Sequence, residues 1–288
     1  MFHIEELSEQ WWVYRLTDDE VGSVLEVVPD RGGIITRWAV GDRELLYLDR
    51  ERYADPALSV RGGIPILFPI CGNLPDNRYQ LPTGETGELK QHGFARNLPW
   101  LLAGYDLRDA ASITLTLDAT PETLAVYPFK FRLEFTYRLR GQQLEIIQNH
   151  QNWDDRPMPF STGLHPYFTV EDKGAIELQI PATEYFDQKT QETATYDGSL
   201  DFDRDELDLR FGEISQNRAS VTDRTHHSTL ELNFDDSYGT LVFWTLKDQP
   251  FYCLEPWSAP RNALNTGDHL LWIDPGKTHT STVTLTLR

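Results

Sequence analysis

From Phe129 to Leu139 every odd position is apolar and every even position is polar or charged. A period of two sends one set of side chains to a core and the other to solvent, as in a strand with one wet face. The same alternation marks residues 112–117, 229–234 and 282–287, and less regular apolar runs occupy 23–28, 34–39, 144–149, 176–180 and 240–246. No segment sustains an apolar period of 3.6 over three turns, so nothing supplies the crossover helices that parallel strands require. The pattern predicts an all-β protein, an antiparallel β-sandwich. Residues 187–224, rich in Asp, Gln and Thr, read as long connections with at most short strands. No composition break, Gly/Ser linker or short repeat divides the chain, which predicts a single domain over residues 1–288.

Charge narrows the possible partners. Forty-five acidic and 26 basic residues among 288 give a net charge of −19, which repels nucleic acid and anionic membranes. The segment Met1-Phe2-His3-Ile4-Glu5-Glu6 has no cationic and apolar leader pattern, and no window reaches the roughly 18 apolar residues of a membrane span. A cytoplasmic protein is expected. Cys71 and Cys253 are too few for a disulfide framework and read as buried thiols.

Candidate chemistry lies where the strand pattern breaks. Residues 61–96 run from Arg61-Gly62-Gly63-Ile64-Pro65 to His92-Gly93-Phe94-Ala95-Arg96, irregular backbone carrying two arginines and a histidine. His92 reads either as a loop residue bonded to backbone or as a ligand contact. His165, in Thr162-Gly163-Leu164-His165-Pro166-Tyr167-Phe168, is either a half-buried satisfied imidazole or a proton carrier. Glu255 follows an apolar strand in Phe251-Tyr252-Cys253-Leu254-Glu255-Pro256-Trp257, so it is either a sheet-edge acid in water or an acid in a polar pocket. Alternation puts Cys253 on its side of the strand. His226, His227, His269 and His279 lack metal-ligand spacing and read as solvated loop residues.

Taken together, Arg-Gly-Gly-Ile-Pro-Ile-Leu-Phe-Pro, Gln91-His92-Gly93-Phe94-Ala95-Arg96, Leu164-His165-Pro166-Tyr167-Phe168 and Leu254-Glu255-Pro256-Trp257 resemble the aldose 1-epimerases, or mutarotases, in order and spacing. The resemblance extends to Trp272-Ile273-Asp274-Pro275-Gly276-Lys277. It implies a galactose-mutarotase-like β-supersandwich with an open sugar cleft on one sheet. It further implies His165 as general acid, Glu255 as general base and His92 as a residue holding the sugar near the reacting centre. An aspartate for the sugar hydroxyls is best matched by Asp208, with Asp201, Asp203 and Asp205 as alternative registers. In the branch acting on hexose 6-phosphates, arginines at the positions of Arg61 and Arg96 bind the phosphate, and Lys90 offers a third charge. The chain departs from the family where Asn73 is followed by Leu74 rather than by arginine.

These residue types suit anomer interconversion. A base takes the C1 hydroxyl proton while an acid protonates the ring oxygen; the ring opens, C1 rotates, and the reverse transfers close it. No step is a redox step, so no cofactor or metal is expected. Tyr167, Phe168 and Trp257 read as an apolar wall for a sugar or as core. Three readings therefore stand: an epimerase of free aldohexoses, a glucose-6-phosphate 1-epimerase, and a non-catalytic carbohydrate-binding or regulatory protein. The partner in each is a sugar or sugar phosphate; the sequence carries no signal of oligomeric state.

Overall fold

The structure is a computed structural model that describes all 288 residues. Its strands pair antiparallel throughout the three larger sheets. One sheet is a five-stranded meander of Phe2–Ser8, Trp12–Asp18, Ser23–Val28, Ile34–Val40 and Arg43–Glu44. The second has eight strands, in spatial order Ile176–Gln179, Arg218–Asp223, Ser228–Phe234, Thr278–Leu287, Gln143–Asn152, Phe131–Arg140, Ala111–Asp118 and Leu101–Asp106. The third runs Glu192–Thr195, Glu184–Asp187, Glu206–Phe211, Thr240–Leu246, Phe251–Trp257, Gly163–Leu164 and Ile66–Leu67, with Tyr167–Thr169 also pairing to Phe251–Trp257. The architecture is all-β, as the alternation predicts.

The strand Phe131–Arg140 shows why. Phe131, Leu133, Phe135, Tyr137 and Leu139 are all buried, while the even positions are partly or fully exposed. Each of the larger apolar side chains adds about 1.5–3 kcal/mol by leaving water, and the period of two fixes the register, since a one-residue slip would turn all five outward. Helix is confined to short segments such as Arg50–Ala54, Pro121–Val126 and Ala263–Thr266, too short to cross a sheet. No helix is long and apolar enough to cross a membrane. Both cysteines are free and buried.

Two expectations need correction. Residues 187–224 hold two regular six-residue strands, Glu206–Phe211 and Arg218–Asp223. Glu206–Phe211 alternates as Phe131–Arg140 does, with Leu207, Leu209 and Phe211 in the core between Glu206, Asp208 and Arg210, but over only six residues inside an Asp-rich stretch. His279 is not a loop residue but lies partly buried in the strand Thr278–Leu287, with Nε2 3.1 Å from Ser237 Oγ.

The third sheet has two differently used faces. Leu207, Leu209, Leu241, Phe243, Tyr252 and Leu254 belong to the main core, whereas Val242 and Trp257 pack with Leu67 and Cys71, and Cys253 with Tyr167 and Phe251, in small separate clusters. Alternation explains the split, because neighbouring residues of one strand point to opposite faces. This second face is the floor of the cleft described next.

Candidate active site

Strand register places the cleft residues in rows. Asp208 pairs with Trp244, Trp244 with Cys253, and Cys253 with Tyr167, giving one row across four strands. One step along, Val242 pairs with Glu255 on the same face. Side chains opposite one another in a sheet stand about 4.5–5.5 Å apart at Cβ, so the two adjacent rows bring an aspartate, two aromatic rings and a glutamate together from distant parts of the chain. The strand Phe251–Trp257 is buried at all seven positions, and Glu255 is 1 % exposed. The edge reading of Glu255 is therefore wrong: its strand is internal to the sheet, flanked on both sides.

His165 sits where Pro166 interrupts the chain between Gly163–Leu164 and Tyr167–Thr169. Its ring stacks on Tyr167 at 4.7 Å and 10°. Nε2 lies 3.4 Å from Glu255 Oε1, and Nδ1 is buried without a hydrogen-bond partner. The other glutamate oxygen, Oε2, accepts from Trp257 Nε1 at 3.0 Å. His92 completes the group, with its ring 5.5 Å from both His165 and Trp257.

The loop Arg61–Arg96 holds His92 by two bonds to one residue. Its amide donates to the Gly72 carbonyl at 2.7 Å, and its Nδ1 accepts from the Gly72 amide at 3.1 Å. The accepting Nδ1 puts the proton of the neutral ring on Nε2, which has no partner in the chain and is free to donate into the cleft. Gly93 next to it must be glycine: its φ is +69°, and a Cβ there would stand 2.2 Å from the Phe68 carbonyl oxygen.

Burial dominates the electrostatics. It pushes His165 down to about 3, with the charges of Arg96, Arg261 and Arg61 adding to the effect. It pushes His92 well below the usual imidazole range, with Arg96 second. Glu255 goes well above the usual carboxylate range, first by burial and then through the Asp208 charge. Burial thus disfavours the charged form of both His165 and Glu255, and at 3.4 Å their ionisations are coupled.

The cleft is a cavity of about 420 Å³ that opens on four arginines. Arg261 is paired: Nη2 donates to both Asp208 oxygens at 2.9 and 2.8 Å, and Nη1 to Asn73 Oδ1 at 3.0 Å. Arg52, Arg61 and Arg96 have no carboxylate partner. Arg52 donates to the Ser59 carbonyl, Arg61 lies 5.9 Å over the Trp244 ring, and Arg96 Nη2 donates to the Gln91 carbonyl. Arg96 Nε is buried and unbonded.

The structure thus brings together Arg61, His92, Arg96, His165, Asp208 and Glu255 around one cavity. Asp208 is the aspartate at the cleft; Asp201, Asp203 and Asp205 do not line it. Phe168 points to the core, 2 % exposed. Lys90 is exposed away from the cavity, and Arg52 stands in its place as the third unpaired charge. Arg52, Arg261 and Trp244 are absent from the motif-based reading. Arg261 had a faint signal, a lone guanidinium four residues beyond Trp257, but Arg52 had none. Donor atoms of His165, Cys253 and Glu255 lie within 4.8 Å of one another. Burial and the Glu255 charge push the Cys253 thiol well up.

The chain belongs to the aldose 1-epimerase family, whose profile matches residues 13–286. It is similar to the plasmid-encoded protein LacX of Lactococcus lactis subsp. lactis, 27 % identical over 277 residues that cover 87 % of this chain and 86 % of that one. A putative glucose-6-phosphate 1-epimerase of Escherichia coli K12 is 29 % identical over 151 residues, covering 51 % of this chain and 46 % of its own. Among solved structures, the Slr1438 protein of Synechocystis sp. PCC 6803 superposes with a TM-score of 0.95 at 46 % identity, covering 100 % of this chain and 99 % of that one. A galactose mutarotase-like protein of Clostridium acetobutylicum gives 0.85 at 17 % identity over 100 % and 98 %, which shows the shared fold.

Proposed function

We propose that this protein is a 1-epimerase that interconverts the α- and β-anomers of an aldohexose 6-phosphate. The observation that carries the phosphate is Arg96, a guanidinium with a buried, unbonded Nε and no carboxylate partner, beside His92 and His165. A buried guanidinium N–H without a partner is costly, and a ligand anion that accepts from it removes that cost. Arg61 and Arg52 present further unpaired forks to the same cavity, which suits phosphate oxygens in a chain whose net charge otherwise repels anions. Relatives named as putative glucose-6-phosphate 1-epimerases agree with this reading.

The sugar lies with its C1 hydroxyl at Glu255 and its ring oxygen toward His165. In the working microstate the shared proton is on His165, and Glu255 is the carboxylate that takes the C1 hydroxyl proton. His165 gives its proton to the ring oxygen, the C1–O5 bond opens, C1 rotates, and the transfers reverse. The pair begins and ends with one proton, so no proton is exchanged with solvent. His92 donates from Nε2 and holds the sugar at the reacting carbon. Asp208 receives sugar hydroxyls, and Trp244 and Trp257 supply apolar walls.

A second reading, an unphosphorylated aldohexose, is favoured by the polar edge of Asp208 and Asn73, both suited to hydroxyls. A binder without activity would have no use for a glutamate buried 3.4 Å from a histidine, an arrangement that works against the charged form of both. The test follows freshly dissolved α-glucose, α-galactose and α-glucose 6-phosphate to equilibrium by polarimetry. The phosphorylated sugar is accelerated most, and Arg96→Ala loses roughly 10- to 150-fold on it, the value of charge-assisted bonds worth about 1.5–3 kcal/mol. Binding of these sugars without acceleration of any of them contradicts the reading.

A further inference from the structure

We infer that Arg261 is a positioning residue for Glu255: with Asp208 it forms a charge-neutral clasp that sets the orientation of the buried glutamate and its hold on a proton. The inference rests on the epimerase reading for its catalytic meaning, but its geometry stands independently.

Arg261 touches each part of the clasp. Its guanidinium binds both Asp208 oxygens and the Asn73 amide oxygen, and its Cζ lies 5.6 Å from the centre of the Trp257 ring. Trp257 in turn donates its indole N–H to Glu255 Oε2. One side chain from the loop after the catalytic strand therefore ties together the strand Glu206–Phe211, the loop at Asn73 and the indole that orients the glutamate. The backbone makes room for it. Gly72 has φ +72°, and a Cβ there would stand 2.3 Å from Arg261 Cγ. Gly72 also supplies both backbone bonds to His92, so one glycine admits Arg261 and fixes the histidine.

The groups facing Glu255 come from every side. His165 and Tyr167 come from the segment after Gly163–Leu164, Asp208 from the neighbouring part of the sheet, and Cys253 from its own strand. Cys71 and Arg96 come from the loop Arg61–Arg96, and Arg261 from the chain beyond Trp257. Of these, Asp208 is the acidic neighbour that opposes ionisation of Glu255, and Arg261 and Arg96 are the cations that favour it. Because Arg261 is bonded to Asp208, removing either one alone leaves the other's charge bare beside Glu255, whereas removing both leaves neither.

The test is a carbon-13 carboxyl titration of Glu255 in the substrate-free protein, which requires no activity, with kcat/KM against pH measured in parallel on glucose 6-phosphate. Arg261→Ala raises the Glu255 midpoint by about one pH unit, Asp208→Asn lowers it, and the double variant Asp208→Asn/Arg261→Gln returns toward the wild-type value. Arg261→Lys keeps the midpoint, because it keeps the charge, yet loses kcat/KM, because a lysine cannot hold Asp208 and Asn73 in one planar fork. Thermal unfolding reports whether each variant folds, and the charge-conserving and double variants decide the matter if Arg261→Ala does not. Identical midpoints in the wild type and the single variants overturn the inference even where the wild type is active. Shifted midpoints in a protein that accelerates no sugar uphold the clasp and refute the epimerase reading alone.

Discussion

His165 Nε2 and Glu255 Oε1 lie 3.4 Å apart, and the glutamate is 1 % exposed. At that distance and burial the ionisations of the two groups are coupled, so neither has an ordinary affinity for a proton. His165→Asn and Glu255→Gln should each lower the rate of anomer exchange by about 10²–10⁴-fold, and the double variant should be little worse than either single one. Exchange rates of the three variants, measured alongside thermal unfolding, check this.

The pH profile follows from the same pair. An imidazole and a carboxyl with ordinary values of 6.5 and 4.5 would confine activity to a bell between those values. Here His165 is pushed down to about 3 and Glu255 well up. The working form carries one proton on the pair. It gains a second only as pH falls toward about 3, and loses its last as pH rises through the raised Glu255 value. On an unphosphorylated aldose, whose own groups do not titrate in this range, the expected kcat/KM is therefore flat through mildly acidic pH, falling on the alkaline side and again only toward about pH 3. A sugar phosphate, whose second ionisation lies at about pH 6, adds its own acid limb. A profile with an acid limb near 4.5 would count against the shared proton.

If the unpaired arginines bind the phosphate, the dianion also acts on the chemistry. Arg96 and Arg61 are among the charges that hold His165 neutral, so an anion on them makes its protonation easier. Xylose, which lacks the sixth carbon, should be a poor substrate that becomes at least about tenfold better when phosphite dianion is added. Arg96→Ala should abolish that activation. Phosphite acting only as an inhibitor would argue for an unphosphorylated sugar.

How far the chain could be read without its structure depends on the type of signal. Strict alternation announced Phe131–Arg140 and Thr278–Leu287, because each has one face in the core and one partly wet. Glu206–Phe211 carries the same alternation but over only six residues within an Asp-, Gln- and Thr-rich stretch whose composition reads as loop, and Phe251–Trp257 hides its period because both of its faces are covered. His165 and Glu255 stood out as polar residues in apolar company. Arg52 and Arg261 did not, since an arginine in a loop looks the same whether it meets water or a cavity. The proton balance of His165 and Glu255 was likewise out of reach, because desolvation depends on what the rest of the chain packs over them.

Core and wet faces should differ in what they contribute to stability. Phe131 is fully buried and packs edge-on against Phe68 at 5.1 Å and stacks on Phe94 at 5.8 Å. Phe131→Ala should cost about 3–5 kcal/mol. Thr136, on the other face and bonded only to Thr114 by its side chain, should cost no more than about 1 kcal/mol as Thr136→Ala. Urea unfolding of the two variants measures both.

The most direct measurement is two-dimensional exchange NMR on glucose 6-phosphate labelled at C1, at equilibrium, with catalytic amounts of protein. With the wild type, cross-peaks should join the α- and β-anomeric signals at mixing times where buffer alone shows none, and Glu255→Gln should remove them. Exchange no faster with the wild-type protein than in buffer, while line broadening shows the sugar bound, would contradict the account.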